Sequence, residues 1–119
     1  MMVVESLNRI EIAGDTTYKY FYRLVRGQVS LTLGEDNVVV QTYGIEIERQ
    51  DYCNDIVINI ERDCISTISP QRYKVHNLLK MLYENIVSPL HLLDILGEYV
   101  DEYIIDFDSA LEDTATNNN

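Results

Sequence analysis

The stretch "ERDCISTISPQRYKVHNLL", residues 61–79, contains the change of period on which the fold turns. Before it, apolar residues alternate. Ile56, Ile58, Ile60 and Cys64 fall on one side of an extended chain, with Asn59, Glu61 and Asp63 on the other. After it, Val75, Leu78, Leu79, Leu82 and Ile86 recur at i, i+3, i+4, i+7 and i+11, the spacing of one helix face. Alternation marks an antiparallel strand with one wet face, and the second pattern marks an amphipathic helix. Ser69-Pro70 sits at the seam, where a serine can cap the first turn and a proline suits the first helical position.

Upstream of the seam the chain reads as further strands. "TYKYFYRLV" (17–25) puts Tyr18, Tyr20, Tyr22 and Leu24 on one face, following "NRIEI" (8–12) and the turn cluster "AGDT". Gly27 predicts a break or bulge before "VSLTL", and "GEDN" (34–37) predicts a four-residue hairpin turn. "VVVQTYGIEIER" (38–49) is the next strand, with Tyr43, Ile45 and Ile47 facing one way. If "QDYCND" is the following hairpin loop, then Glu46, Glu48, Glu61 and Asp63 share an outer face, as a solvated carboxylate row.

Downstream, Ser88-Pro89 opens a second helix in the same way as the first pair. Its apolar stripe is Leu93, Leu96, Val100, Ile104 and Phe107, widened by Leu92, Tyr99 and Tyr103. Gly97 lies within it and predicts close backbone approach to the sheet or the first helix. The two Ser-Pro starts do not mark a duplication, because aligning them sets Val75 against Asp94. The expected fold is α+β: an antiparallel sheet of four or five strands over residues 2–65, then a C-terminal two-helix hairpin, 70–107, packed on one face. Residues 1–107 form a single domain in this reading, and 108–119 a disordered acidic and polar tail.

At 119 residues the chain is long enough to bury one core without staples. Two cysteines make no disulfide framework, the N-terminus lacks the charge and apolar run of a secretory signal, and no stretch could span a membrane. These features predict a cytoplasmic protein. Its formal net charge is −11. Residues 1–80 hold all nine Lys and Arg against eleven acids, whereas 81–119 hold nine acids and no base. Such a surface repels nucleic acid and anionic lipid and attracts basic proteins.

Little else suggests chemistry. Cys53, Cys64, His76 and His91 are separated by ten, eleven and fourteen residues, without the close doublets of a zinc site. Cys64 reads as a core thiol, and no Gly-rich phosphate loop, nucleophile elbow or HExxH motif is present. The tyrosine strand, flanked by Lys19, Arg23 and Arg26, has the composition of a base-stacking platform, but the net charge opposes that use. No catalytic residue, metal or cofactor is assigned.

The segment "YGIEIERQDYCNDIVINIERD" followed by "ISPQRYKVHNLLKMLYENIVSPLHLLDILGEYVDEYIIDF" resembles a small family of uncharacterised clostridial proteins. The resemblance rests on the Tyr-Gly-Ile-Glu strand, here Tyr43 to Glu46, and on the Ser-Pro-Leu-His-Leu opening of the second helix, Ser88 to Leu92. It covers about residues 40–107, implies a bacterial cytoplasmic setting, and implies nothing catalytic.

The leading functional expectation is a non-enzymatic interaction or regulatory module. Its second helix would present Asp94, Glu98, Asp101, Glu102 and Asp106 to a basic protein surface; like charges at i, i+4 repel until a partner supplies cations. Homodimerisation through an exposed sheet edge is a further expectation. The alternative is a small-molecule-binding domain or unrecognised enzyme, with a pocket between the helices and the sheet at Tyr18, Tyr20, Tyr22 and His91.

Overall fold

A computed structural model of the chain describes residues 1–117, with side chains through Asp113. Four strands run β1 (Met2–Ala13), β2 (Thr16–Leu33), β3 (Asp36–Cys53) and β4 (Ile56–Ser69). They pair in sequence order, antiparallel throughout, as one meander. Then come α1 (Arg72–Glu84), a 3-10 turn (Pro89–His91) and α2 (Leu92–Asn117). The fold is the α+β arrangement that the change of period predicts, with the helices on one face of the sheet.

All three hairpins turn on two residues. Gly14 and Gly34 have positive φ at the first turn position, the pattern of a type II′ turn. Asn54 and Asp55 both have positive φ (51° and 64°), the type I′ pattern, in the residue types that best tolerate it. Half of "GEDN" and four of the six residues of "QDYCND" are therefore strand rather than loop. Gly27 neither breaks nor bulges β2, because it pairs in continuous register with Thr42. It follows Arg26, the last β2 residue paired to β1.

The core forms between the inner sheet face and the helices. Tyr20, Tyr22, Leu24, Ile45 and Ile47 from β2 and β3 meet Val75, Leu78, Leu79 and Leu82 of α1 and Leu92 and Leu96 of α2. Burial of such side chains is worth about 2 kcal/mol each and holds the layers together. Polar anchors fix the connections. The Tyr22 hydroxyl donates to the Val87 carbonyl at 3.0 Å, and the Arg9 guanidinium donates to the Tyr83 carbonyl at 2.7 Å.

β4 does not stay flat on the sheet. Tyr43 pairs with Ser69 and Ile45 with Ile65, so β4 takes four steps where β3 takes two. The surplus arches over Gly44, and beneath it Val25 and Thr42, on the outer face by alternation, are buried.

Three helical details differ from the sequence reading. α1 begins at Arg72 with Gln71 as its N-cap, so Ser69 is not the cap; Ser88 does cap its turn, accepting from the Leu90 N–H at 3.3 Å. Gly97 has open space where a Cβ would stand, so it makes no close approach. α2 runs on to Asn117, through most of the segment expected to be a tail, and residues 118–119 of that segment lie outside the described residues.

Candidate functional site

The buried stripe of α2 is Leu92, Leu96, Tyr99, Tyr103 and Asp106, rather than one centred on Leu93 and Ile104, which are exposed. Asp106 thus occupies a core-facing position and is only 6% exposed. Its carboxylate accepts from Lys74 Nζ at 2.8 and 2.9 Å and from the Ser69 hydroxyl at 2.8 Å. Burial pushes this carboxyl up, but the bonds from Lys74 and Ser69 outweigh it and hold it below the usual aspartate range. Ser69 in turn accepts from the Gln71 N–H at 3.0 Å. One carboxylate therefore ties the end of β4 and the start of α1 to α2, and it does not belong to the outward acidic face.

The other four acids do. Asp94, Glu98, Asp101 and Glu102 are all exposed, and among the described residues none of them makes an ion pair. Their spacing of i, i+4, i+7 and i+8 keeps them on one side of the helix. The positions are set by the stripe opposite, since Leu92, Leu96 and Tyr99 face the sheet.

The tyrosines proposed for a ligand pocket are instead built into the core. Tyr20 and Tyr22 stack at 6.0 Å between centroids, and Tyr22 meets Tyr83 edge-on at the same distance. Burial pushes the Tyr22 hydroxyl well above the ordinary phenol range. Tyr18 lies under Arg49, whose guanidinium carbon is 5.3 Å from the ring centroid. His91 is exposed at the end of the 3-10 turn. An apolar groove of about 260 Å³ lies elsewhere, between Val29 and Leu31 of β2 and Ile104, Phe107 and Leu111 of α2.

The expected carboxylate row is divided between the two sheet faces. Glu46 and Glu48 pair with Cys64 and Arg62 on the outer face, whereas Glu61 and Asp63 pair with Arg49 and Ile47 on the inner one. On the outer face Glu48, 4% exposed, accepts from Arg62, from Gln50 at 2.5 Å and from Arg23 at 3.3 Å. Desolvation raises this carboxyl, and those donors more than reverse it. On the inner face Arg49 donates to both oxygens of Asp51 at 2.8 and 3.1 Å, with Asn59 at 3.2 Å completing the cluster. Glu46 and Glu48 are paired to Arg23 and Arg62, and Asp51 and Glu61 share Arg49, whereas Asp63, among the described residues, accepts only the Cys64 N–H, at 2.8 Å.

Cys53 and Cys64 are both free thiols. Burial, with Glu46 and Asp63 alongside, pushes the Cys64 thiol up and away from the thiolate a nucleophile needs. Among the described residues, no group of three or more His, Cys, Asp or Glu is placed to hold a metal ion. No helix among the described residues is long and apolar enough to cross a membrane.

The sequence reading missed the outer sheet face. Successive pairing sets Ile10, Lys19, Gln50 and Ile60 in one row across it, and Ile12, Thr17, Tyr52 and Val57 in the next. Ile10, Ile12, Val57 and Ile60 are 44–74% exposed. The available signal was the run "IVINI", apolar at consecutive positions 56–58, which leaves apolar residues on both faces of β4.

No curated protein and no solved structure matches the chain. A protein-family pattern does match, over residues 1–102, and so takes in the N-terminal strands as well as the Tyr-Gly-Ile-Glu and Ser-Pro-Leu-His-Leu segments. With its full sheet, α1 and the first turns of α2 inside that match, the chain belongs to the family of unknown function DUF6514.

Proposed function

We propose that the protein is a non-enzymatic interaction module of the bacterial cytoplasm that uses α2 to engage a basic surface on a partner protein, in a regulatory role. The observation that carries this reading is the set of four exposed carboxylates, Asp94, Glu98, Asp101 and Glu102, on one helix face without a cation among the described residues to balance them. Their mutual repulsion costs a few tenths of a kcal/mol per i, i+4 pair in the free protein. A partner bearing Lys or Arg relieves that repulsion and gains steering from the long-range field of a chain with net charge −11. The same field disfavours nucleic acid and anionic membranes as partners.

The test is a pull-down from the native host with the wild-type chain and with the combined variant Asp94→Asn, Glu98→Gln, Asp101→Asn, Glu102→Gln. The expected result is a basic partner that elutes on raising salt and is absent from the variant. A partner set unchanged by the four substitutions overturns the charge-based reading.

A further inference from the structure

The outer sheet face is chemically unlike the rest of this acidic molecule. Over the four rows from Ser6 to Ile12 it carries three cations, Lys19, Arg23 and Arg62, and two carboxylates, Glu46 and Glu48. Arg23 pairs with Glu46 at 2.7 Å, Arg62 pairs with Glu48, and Lys19 sits 4.4 Å from the centroid of the Tyr52 ring. The four exposed acids Asp94, Glu98, Asp101 and Glu102 belong to the helical layer on the opposite side. This is therefore a face on which two copies of a strongly acidic chain can meet without like-charge repulsion.

Its layout is also self-complementary. The apolar residues lie on the two edge strands, Ile10 and Ile12 on β1 and Ile60 and Val57 on β4, with the polar residues between them. On the central strands, cations belong to β2 (Lys19, Arg23) and carboxylates to β3 (Glu46, Glu48). We propose that this face is a homodimer interface, two sheets stacking about a two-fold axis parallel to the strands.

That axis, and not one perpendicular to the strands, is selected by the residues. It sets β1 over the partner copy's β4 and β2 over the partner copy's β3 while keeping each row opposite its own kind. Ile10 then faces Ile60, Ile12 faces Val57, Lys19 faces Gln50 and Arg23 faces Glu46. The perpendicular axis reverses the rows and drives the isoleucine end onto the Arg–Glu end. Sheets stacked at about 10 Å interdigitate such side chains. A stable interface takes about 800 Å² from each partner, and four half-exposed to largely exposed aliphatic side chains on the edge strands, with Tyr52, Phe21 and the Lys19 stem between them, supply its apolar contacts.

The experiment is sedimentation equilibrium of the full chain over about 5–200 µM, a range in which mass action shows a dimer. The wild type is expected at twice the 13.8 kDa of one chain. Ile10→Lys and Ile60→Lys each put a lysine in the apolar strips, and each should weaken the dimer at least tenfold while leaving the far-ultraviolet circular dichroism unchanged. Ile56→Lys, which lies opposite Cys53 on the other sheet face, should leave the mass unchanged. The four-acid variant of α2 should also remain dimeric, which separates this interface from the acidic helix. A monomeric wild type at the highest concentration leaves the face to some other protein and overturns the proposal. So does an Ile10→Lys dimer of undiminished stability, or an Ile56→Lys variant that dissociates as well, the signature of edge-to-edge pairing.

Discussion

At Gly44 the arch of β4 leaves no room for one further carbon. A Cβ there would meet the Ile65 carbonyl oxygen and come within 2.5 Å of the Ser66 carbonyl oxygen, backbone atoms that cannot swing aside. Gly44→Ala is therefore expected to cost about 2–3 kcal/mol, as overpacked core substitutions do. Gly27→Ala, where a Cβ meets nothing within 4 Å, should cost little. Urea unfolding of the two variants checks this, and equal midpoints would show that the arch is not fixed. The Tyr-Gly-Ile-Glu segment was legible as a strand, but the reason for its glycine was not. Alternation counts residues along one strand, and the close approach depends on four residues of β4 spanning two of β3.

At the scale of the element, α1 ends in a way its sequence does not favour. Val87 N–H returns to the Leu82 carbonyl at 3.1 Å and Ile86 N–H to the Tyr83 carbonyl at 3.4 Å, the bond pattern of a Schellman motif. The left-handed position in that motif is usually glycine, and here it is Ile86 at φ 53°. A β-branched residue there is strained by about 1–2 kcal/mol. The neighbouring Val87 carbonyl, held by the Tyr22 hydroxyl, keeps the strained turn in place. Ile86→Gly should raise stability by about 1 kcal/mol, or roughly 4 °C in Tm, by differential scanning calorimetry. A lowered Tm would mean that the partly exposed side chain contributes more by packing than its backbone costs. The periodicity placed Ile86 on the buried stripe with Val75 and Leu82, because spacing alone does not show where the helix stops. The same limit applies to α2. Its stripe was legible to within one residue, but that one-residue rotation decides that Leu93 faces solvent and Asp106 faces Lys74.

At the scale of the whole molecule, 62 × 21 × 19 Å, charge separates into layers: the exposed acids Asp94, Glu98, Asp101 and Glu102 on one face of α2, and paired charges on and beneath the sheet. Three of the paired carboxylates, Glu5, Glu48 and Asp106, are held below their usual range; burial opposes this in each case, and bonds from His76 and Arg72, from Gln50, Arg62 and Arg23, and from Lys74 and Ser69 outweigh it. A group whose folded pKa is depressed contributes stability that is complete above the unfolded value, about 4, and is lost as pH falls through the lower folded value. The urea midpoint should therefore be flat from neutrality to about pH 5 and fall steeply below pH 4. Asp106→Asn should lower the midpoint at pH 7 by the equivalent of about 2 kcal/mol, since it removes a charged acceptor from Lys74 and Ser69, and should flatten the acid limb. An acid limb as steep as the wild type's would exclude Asp106 from that linkage. Strand periodicity and helix order were enough to read the fold class and the placement of both helices on one sheet face. They did not reveal which faces of β1 and β4 the helices cover. That depends on two irregularities, the offset at Val3–Glu5 and the one opposite Asp51–Tyr52, which switch side chains between faces without any mark in composition.

The meander order, β1 through β4 and then the helices, also sets the order in which the molecule can be assembled during synthesis. Each strand finds its partner in the segment made just before it, across a two-residue turn, so the sheet can zip up as the chain is extended. The residues that cover its inner face come last. At about 5–20 residues per second, the roughly forty residues from Ser69 to Ala110 take some 2–8 s to appear. During that interval Tyr22, Leu24, Ile45 and Ile47 are open to water, together with the isoleucines of the other face. The nascent sheet is then two-sided and adhesive, and this is when the chain most needs a chaperone or a second copy.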